Sequence, residues 1–266
     1  MAEQSRAVLI TGCSSGIGRA TAARLARGGW TVYATARRPE SIADLEGMGA
    51  KTLALDVTDE ESMRAAVAAV VEAEGAVGVL VNNAGYSQSG AVESVPMDAA
   101  RRQFETNVFG VIRTLRAALP EVRKARGNLV IVGSVAGWCA TPGNAPYAMS
   151  KFAVRALADA ITPELARDGV TVTLISPGFV ASEIRRVDNL GTLHPQAREP
   201  IKPWLIVPRE RAARHILAAV ARGRREAVIT AHGKFFVFLA RFAPWVIRAA
   251  GRRMARHGGY RGEAGH

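Results

Sequence analysis

Thr11-Gly12-Cys13-Ser14-Ser15-Gly16-Ile17-Gly18 follows a short apolar run, Ala7–Ile10, and opens a stretch with helical periodicity. Its three glycines permit a tight turn and let the backbone approach a ligand closely. The N-terminus of the next helix would present unpaired N–H groups and a partial positive charge. A strand before the glycines and a helix after them is the context that a dinucleotide-binding loop requires. The stretch therefore predicts a phosphate cradle made by Gly12, Ser14, Ser15, Gly16, Ile17 and Gly18.

Short apolar runs alternate with helical stretches over the first 180 of the 266 residues. The apolar runs are residues 7–10, 31–35, 52–55, 77–81, 129–132 and 170–175. The helical stretches are residues 16–27, 60–74, 98–119 and 147–167. Apolar runs without polar alternation are typical of strands buried on both faces. The pattern predicts the α/β class, with a doubly wound Rossmann-type parallel sheet and helices on both faces.

The C-terminal third of the chain does not follow this alternation of apolar runs and helical stretches. Residues 179–207 hold several prolines and charges without a clear period, which predicts a substrate-binding loop beyond the sixth strand. Its apolar residues would line a pocket or simply pack, and these are Phe179, Ile184, Val187, Leu190, Leu193, Trp204 and Leu205. A helix over 208–222 and a short strand near 227–230 should follow. We expect one domain over residues 1–233 and a basic amphipathic extension over 234–266.

Further motifs follow the glycine loop in a fixed order. They are Asn82-Asn83-Ala84-Gly85, Ser134, Tyr147-Ala-Met-Ser-Lys151 and Pro177-Gly178, and Ser134 precedes Tyr147 by 13 residues. With Gly-x-x-x-Gly-x-Gly they resemble the TGxxxGxG, NNAG, YxxxK and PG motifs of the single-domain short-chain dehydrogenase/reductases. The resemblance spans some 170 residues and leaves out about the last 60. The chain departs from the family pattern at Ser182, where threonine is usual, and at Gly133, where serine is common.

The resemblance implies an oxidoreductase that interconverts an alcohol and a carbonyl, with Tyr147 as general acid/base. Tyrosine in water has a pKa of about 10, and an ammonium one helical turn away favours the phenolate. Lys151 stands at that spacing, although a Tyr-x-x-x-Lys pair alone also occurs by chance on helix surfaces. By resemblance, Ser134 would bond the substrate oxygen, Lys151 would also hold the nicotinamide ribose, and Asn107 would support a proton-relaying water.

The choice of cofactor depends on the end of the second predicted strand, beside the adenosine ribose. No carboxylate occurs there before Glu40, whereas Arg37 and Arg38 are present. A carboxylate would repel a 2′-phosphate and an arginine can bind it, which favours NADP(H) with Arg37 as the main contact. Solvated surface charge is the other interpretation of the arginines.

Other residues are implied in cofactor binding by the resemblance alone. Asp56 and Val57 resemble the adenine-contacting pair, although Asp56 could instead cap the helix that begins near Asp59. The remaining implied contacts are Asn83, Ala84, Gly85, Tyr147, Lys151, Pro177, Gly178 and Val180.

The net charge of +12 is concentrated near the C-terminus. Residues 1–200 hold 21 Lys+Arg and 20 Asp+Glu, whereas residues 201–266 hold 14 and 3. Within 234–256, a basic stripe of Lys234, Arg241, Arg248 and Arg252 would flank a wide apolar face, and Pro244 predicts two short helices rather than one. This segment could touch a membrane interface, pack on the core, or form a subunit contact.

Several classes of protein are disfavoured by composition. No base-reading motif accompanies the arginines and aromatics are only 6%, so we expect no nucleic-acid partner. Two separate cysteines and five scattered histidines predict no metal site. No apolar run of 18 residues or signal peptide is seen, so a cytoplasmic protein is expected, membrane-associated only if 234–256 contacts lipid.

The partner and the activity are predicted by the resemblance. Residues 30–58 resemble the hydroxysteroid and retinol dehydrogenase-like branch, which suggests a small lipophilic alcohol or carbonyl substrate. The family suggests a homo-oligomer, either dimer or tetramer. The alternative function is a non-enzymatic NADP(H)-binding redox-sensing module. Such regulators often lose the catalytic tyrosine or lysine, and this chain keeps both Tyr147 and Lys151.

Overall fold

The computed structural model describes residues 6–184, 194, 196, 199 and 201–256. In these residues the sheet has seven strands in the order β3-β2-β1-β4-β5-β6-β7. Every neighbouring pair runs parallel, which confirms the predicted doubly wound α/β fold. The strands are β1 Ala7–Ile10, β2 Thr31–Ala36, β3 Ala50–Ala54, β4 Val79–Asn82, β5 Asn128–Val132, β6 Thr171–Ser176 and β7 Glu226–Val228.

The helices cover both faces of this sheet. They are α1 Gly16–Arg27, α2 Glu60–Glu74, α3 Met97–Phe104, α4 Gly110–Lys124, α5 Ala145–Ala166, α6 Arg209–Ala221, α7 Ala231–Phe242 and α8 Pro244–Arg256. Successive residues of β1 point to opposite faces of the sheet. On one face, Val8 and Ile10 belong to the hydrophobic core that includes α1 and α6. Ala7 and Leu9 share the opposite core with α2, α4 and α5. Burial on both faces is the reason that the central strands β1, β4 and β5 are almost entirely apolar, whereas the edge strands β3 and β7 carry Lys51 and Glu226.

The strand order reverses at the centre of the sheet. β1 pairs with β2 on one side and with β4 on the other, so the chain crosses to opposite faces from this point. Loops leaving the carboxyl ends of β1 and β4 diverge there and leave a crevice, which is where open α/β sheets bind their ligands. The glycine loop leaves β1 at this position.

The predicted helix over 98–119 is wrong in one respect. It divides into α3, a π-helical turn at Glu105–Phe109, and α4, which continues past Pro120 to Lys124. Within the described residues, 3₁₀ segments also occur at Pro39–Met48, Val135–Gly137 and Pro203–Leu205. The π turn holds Asn107, so the departure from the helical prediction falls within the candidate site.

The two C-terminal helices follow from local signals. Thr230 caps α7, because its Oγ1 accepts a hydrogen bond from the Gly233 N–H at 3.2 Å. This cap stops the predicted strand over 227–230 at Val228. α7 ends at Phe242, and Pro244 begins α8, as its missing N–H and fixed φ predict.

The predicted substrate loop is described only at its two ends. The Val207 N–H donates to the Phe179 carbonyl at 2.9 Å and the Ala181 N–H donates to the Val207 carbonyl at 3.0 Å. These bonds tie the two ends of the segment together. The predicted apolar residues Val187, Leu190 and Leu193 lie outside the described residues, as does the C-terminal stretch 257–266. No helix among the described residues is long and apolar enough to cross a bilayer.

Candidate active site

Hydrogen bonds join the glycine loop to the loop that follows β4. The Thr11 hydroxyl accepts from the Asn83 and Ala84 N–H groups, each at 3.0 Å. In return, the Asn83 side-chain amide donates to the Thr11 carbonyl at 2.9 Å and the Gly12 carbonyl at 2.8 Å. Asn83 and Ala84, predicted as cofactor contacts, therefore shape the cradle through these bonds. The sequence analysis did not identify Thr11 as a site residue, because its hydrogen bonds to Asn83 and Ala84 join segments about 70 residues apart.

The three glycines stand where no side chain fits. A Cβ at Gly12 would lie 2.7 Å from the Ala84 Cα, and one at Gly16 would lie 2.8 Å from the Ser182 Cβ. Gly12 and Gly16 also have φ of +72° and +60°, which disfavour other residues. Gly16 faces Ser182, so the loop after β6 closes against the glycine loop.

Gly18 gives the sharpest test of this packing. A Cβ there would lie 2.3 Å from Asn83 Nδ2 and 2.5 Å from the Gly12 carbonyl oxygen. Alanine within a helix is normally favoured over glycine by about 0.5–1 kcal/mol. We expect Gly18→Ala to destabilise the protein instead, lowering the free energy of unfolding by roughly 1–3 kcal/mol and weakening the binding of a nicotinamide dinucleotide at least about tenfold.

Urea unfolding and a fluorescence titration with NADPH measure both effects. Gly47→Ala is the matched control, because no atom lies within 4 Å of the position where its Cβ would stand. If Gly18→Ala were as stable and as able to bind as Gly47→Ala, the close packing of this loop would be disproved.

The start of α1 suits a phosphate. Ser15 is the N-cap residue, yet its side chain makes no capping hydrogen bond, and no acidic residue lies in the first turn. Ser14 is exposed and Ser15 is half-buried beside these amides. Backbone N–H groups and the helix dipole at such an end attract anions. The residues present therefore fit the pyrophosphate of a dinucleotide, with Ile17 half-buried behind them.

Arg37 stands at the end of β2, on the same edge of the sheet. Its side chain is exposed and, within the described part of the chain, it pairs with no carboxylate. Burial raises the pKa of Tyr86 in the loop after β4, and the charges of Arg102 and Arg37 act in the opposite direction.

The alternative prediction for Asp56, a helix cap, is wrong. Asp59 caps α2, accepting a hydrogen bond from the Glu61 N–H at 2.9 Å. Asp56 instead accepts from the Thr58 N–H at 2.9 Å and the Thr58 hydroxyl at 2.8 Å. The neighbouring Val57 is buried and packs beneath Gly110, where a Cβ would lie 2.9 Å from Val57 Cγ2.

Ser134 follows β5 in a turn that packs tightly on α5. Its Oγ accepts from the Ala136 N–H at 3.1 Å and caps the 3₁₀ turn. A Cβ at Gly137 in that turn would lie 2.7 Å from the Lys151 carbonyl oxygen. Gly133 is less confined, since its Cβ would lie 3.1 Å from Leu174 Cδ1 and 3.2 Å from the Ile175 carbonyl oxygen, so a small residue suits this departure from the family pattern. This packing holds Ser134 beside the helix that carries Tyr147 and Lys151.

Lys151 is buried beneath Tyr147. Only 5% of the lysine is exposed, and its Nζ donates to the Val132 carbonyl at 2.9 Å. The same Nζ lies 5.8 Å from the centre of the Tyr147 ring. Burial lowers the Lys151 pKa to about 8. Because a charged amine is costly to bury, this position is unusual outside functional sites.

Asn107 joins three parts of the site. Its Oδ1 accepts from the Tyr86 N–H at 3.1 Å, and its Nδ2 donates to the Tyr86 carbonyl at 2.9 Å and to Ser150 Oγ at 3.0 Å. Ser150 Oγ donates in turn to the Tyr147 carbonyl at 2.7 Å. A Cβ at Gly85 would lie 2.9 Å from Asn107 Oδ1, so the loop after β4 is held against the same amide.

His232 completes the wall formed by the loop after β6. Its Nε2 accepts a hydrogen bond from the Phe179 N–H at 2.8 Å, and its ring stacks on Phe179 with centroids 5.3 Å apart. Burial lowers the His232 pKa, which favours the neutral form that this bond requires. A Cβ at Gly178 would lie 2.2 Å from His232 Nε2. Pro177 and Val180 are buried on either side.

His232 and Ser150 are residues that sequence reasoning missed. The Phe179–His232 bond joins positions 53 apart and the Asn107–Ser150 bond joins positions 43 apart. Ser150 lies inside the Tyr-x-x-x-Lys motif, one residue before the lysine, which was the available signal. Nothing in the chain before folding marks His232.

Together, the sheet and the loops define a class of protein. A doubly wound parallel sheet with a glycine loop at its switch point is the architecture of Rossmann-type dinucleotide-binding folds. Comparison with known families is more specific, since the short chain dehydrogenase family matches residues 6–191. The chain belongs to the short-chain dehydrogenase family.

Two curated relatives illustrate the likeness. The uncharacterized oxidoreductase YusZ of Bacillus subtilis is 40% identical over 185 residues, 66% of this chain and 65% of that protein. A 3-ketodihydrosphingosine reductase of Bacteroides thetaiotaomicron is 38% identical over 177 residues, 66% of this chain and 64% of that protein. The chain thus spans slightly less than two-thirds of the length of these relatives.

Solved structures share the whole fold. A short-chain dehydrogenase from Streptomyces avermitilis is similar with a TM-score of 0.78 and 29% identity, covering 97% of this chain and 99% of that one. A Burkholderia cenocepacia short chain dehydrogenase in complex with NADP has a TM-score of 0.79 and 24% identity, covering 92% and 96%. The likeness therefore extends beyond residue 191 into the C-terminal quarter.

Proposed function

We propose that this chain is an NADP(H)-dependent oxidoreductase that interconverts a lipophilic alcohol and its ketone or aldehyde, with Tyr147 as general acid/base. The observation that carries the proposal is the buried Lys151 ammonium, 5.8 Å from the centre of the Tyr147 ring, at the carboxyl edge of the sheet. A chain that only bound a dinucleotide could use the lysine to hold the ribose, but it would have no need for a phenol beside that ammonium or for Ser134 on the neighbouring turn. The combination of Ser134, Tyr147 and Lys151 favours the enzyme over the redox-sensing module.

Different residues around the crevice would bind different parts of the cofactor. The amides at the start of α1 would bind the pyrophosphate, Arg37 would bind the 2′-phosphate, and Asp56 with Val57 would flank the adenine. Bound NADP(H) would supply or accept the hydride at the carbonyl carbon. Gly178 and Val180, in the loop after β6, would line the nicotinamide end.

Two side chains would act on the carbonyl oxygen. The Ser134 hydroxyl oxygen already accepts from the Ala136 N–H, which leaves its proton to be donated to the substrate oxygen. Tyr147 would donate its phenolic proton to that oxygen during reduction and take it back during oxidation. Lys151 stabilises the resulting phenolate by its positive charge.

The proton must then return from solvent to Tyr147. The Asn107 side chain is hydrogen-bonded to the Tyr86 backbone and to Ser150, so the side chain itself would have a structural role. Its π turn alters the regular pattern of helical carbonyl bonding, and such turns recur at functional sites. We infer that a water held by the Asn107 backbone carbonyl would connect Lys151 to solvent.

The substrate class rests on two supports. The relative named 3-ketodihydrosphingosine reductase acts, by its name, on a ketone of the sphingosine series. In this chain, Trp204 at the described end of the substrate loop is exposed.

A matched series of ketones and alcohols with short and long alkyl chains, followed by NADPH absorbance, tests the proposal. Rising kcat/KM with chain length is expected, and NADPH binding without turnover of any carbonyl would favour the redox-sensing module.

The preference for NADP(H) is tested at Arg37. A charge-assisted hydrogen bond contributes about 1.5–3 kcal/mol, and tenfold corresponds to about 1.4 kcal/mol. We therefore expect Arg37→Glu to weaken NADPH binding by about 10- to 100-fold and to leave NADH binding within a few-fold. Dissociation constants for both nucleotides, measured by fluorescence titration, provide the ratio.

Arg38→Glu is the matched control for this change, because it makes the same change of charge at the neighbouring exposed position. A smaller effect there would locate the contact at Arg37. An unchanged NADPH-to-NADH ratio in Arg37→Glu would refute the assignment. The expected dimer or tetramer remains a prediction, which light scattering of the purified protein would measure.

A further inference from the structure

α7 and α8, here called the C-terminal helix pair, leave a broad apolar surface uncovered. Phe235, Phe238, Phe242 and Trp245 are exposed, the last two by 72% and 67%. Only Gly233 and Val237 of α7 are buried, and none of the described residues of α8 is. Neighbouring apolar side chains exposed to this degree mark a surface that contacts something else.

The helix pair is nevertheless fixed to the rest of the fold along one side. The Trp138 ring lies between two guanidinium groups, that of Arg155 at 3.2 Å and that of Arg241 at 4.2 Å from its centre. Arg241 also pairs with Glu226 of β7 at 3.1 Å. With the Thr230 cap, these contacts hold α7 in one orientation. The apolar surface is therefore presented by a positioned element.

The charge of the helix pair is of one sign. Residues 231–256 contain six Lys+Arg and no Asp or Glu. Four of the six lie on α8, where Arg248 is exposed and Arg252, Arg253 and Arg256 line one shallow hollow. Arginines beside exposed phenylalanine and tryptophan are typical of helices that lie in a membrane interface, with the rings toward hydrocarbon and the charges at headgroups.

This charge decides between occupants. A second copy of the same surface would bring more arginines against these and no carboxylate from residues 231–256 to offset them, which disfavours self-association. A nucleic-acid duplex would satisfy the arginines but would leave the exposed rings of Phe242 and Trp245 in water, because its bases are already stacked on one another. An anionic lipid surface satisfies both the charges and the rings.

The surface also lies close to the catalytic residues. α7 begins just beyond the carboxyl end of β7, and its His232 bonds the loop after β6. On α8, a Cβ at Gly251 would lie 3.9 Å from Pro142, in the loop between Ser134 and Tyr147. The helix pair therefore stands at the same edge of the sheet as the crevice.

We propose that the C-terminal helix pair docks this protein on the surface of an anionic lipid bilayer. Its rings insert among the acyl chains and its arginines contact the headgroup phosphates. Resting on the function proposed above, this would place the crevice beside substrates dissolved in the lipid. The binding itself requires no catalysis, so it can be tested separately.

Flotation of the full-length protein with vesicles tests the proposal. Vesicles of phosphatidylcholine alone are compared with vesicles containing phosphatidylglycerol, at low and high salt. The wild type should float with the anionic vesicles and remain behind with the neutral ones. A basic residue near such a surface contributes roughly fivefold in binding, so Arg248→Gln/Arg252→Gln should lower the partition coefficient at least about tenfold. Phe242→Ser/Trp245→Ser should lower it comparably.

Two controls lie at the opposite edge of the sheet. Arg222→Gln/Arg224→Gln removes the same charge just before β7, and Trp30→Ser removes a partly exposed ring just before β2. Both should float like the wild type, and thermal melting should show that every variant is folded. Equal recovery with anionic and neutral vesicles, or equal loss in the controls, would overturn the proposal.

Two further readouts separate the remaining outcomes. If Phe242→Ser/Trp245→Ser converted an oligomer to a smaller species in light scattering without affecting flotation, the surface would be a subunit contact and the proposal would fail. Turnover of a water-soluble ketone should stay the same in that variant. A chain that floats but reduces no carbonyl would refute the proposed function alone.

Discussion

Tyr147→Phe should lower kcat by about 10²–10⁴-fold, the usual contribution of a general acid or base, and leave the NADPH dissociation constant within a few-fold. The substitution removes one oxygen from a half-buried ring and keeps the ring itself. The hydrogen bond from Ser150 Oγ goes to the Tyr147 backbone carbonyl, so it is retained in the variant. Single-turnover NADPH oxidation with a saturating ketone measures the chemical step directly.

Tyr86→Phe is the matched control for that experiment. Tyr86 also lies at the crevice, but the site uses its backbone N–H and carbonyl, which bond the Asn107 side chain. Loss of its hydroxyl removes the long hydrogen bond, 3.5 Å, that Gln88 Nε2 donates to it. We expect Tyr86→Phe to keep kcat within a few-fold. Turnover at the wild-type rate in Tyr147→Phe would refute the proposed role.

The fold was predictable because its strands carry an unambiguous pattern. The predicted strand over 31–35 is observed as Thr31–Ala36, and that over 129–132 as Asn128–Val132. Both lie inside the sheet and contain no charged residue, as burial on two faces requires. The ends of elements were less predictable. The strand expected near 227–230 stops at Val228 because a threonine cap, which periodicity does not show, begins the next helix.

The arrangement of the site was predictable only where a motif brings residues together locally. Tyr147 and Lys151 share a helix face by spacing alone. The π turn at Asn107 could not be foreseen, because bonds to Tyr86 and Ser150, 21 and 43 residues away, accompany it. The His232–Phe179 contact depends likewise on where α7 docks after the sheet has formed. Such pairings follow from tertiary packing and leave no periodic trace in the sequence.

The exposure of the apolar face of the C-terminal helices could not be predicted from the sequence either. An amphipathic helix normally buries its apolar face, so packing on the core was a reasonable interpretation of 234–256. In the structure the core contact is made by Val237 and Gly233, and the larger rings remain outside. Sequence shows that a helix has an apolar face, whereas only the fold shows whether that face has been covered.

Lys151→Met should reduce kcat by at least about 10²-fold, because it removes the charge that favours the phenolate. Methionine keeps the length and apolar stem of the lysine, so the packing of α5 on the Gly137 turn is preserved. Lys124→Met is the control, since it removes an ammonium whose side chain is 65% exposed on α4. Turnover that fell equally in both variants would point to a general effect of charge and contradict the role of Lys151.

The same substitution should also reveal a cost in stability that depends on pH. Burial lowers the folded-state pKa of Lys151 from 10.5 to about 8, so between these values the unfolded chain binds more protons than the folded one. An amine whose pKa is lowered on folding destabilises the folded state below pH 8. This destabilisation is lost as the pH rises toward 10.5. Relative to Lys151→Met, which lacks the group, the wild type should gain about 2 kcal/mol between pH 7 and about 9.5. Urea unfolding of the cofactor-free proteins across that range measures the difference, and a gap that stays constant with pH would show that the lysine is not buried as a costly charge.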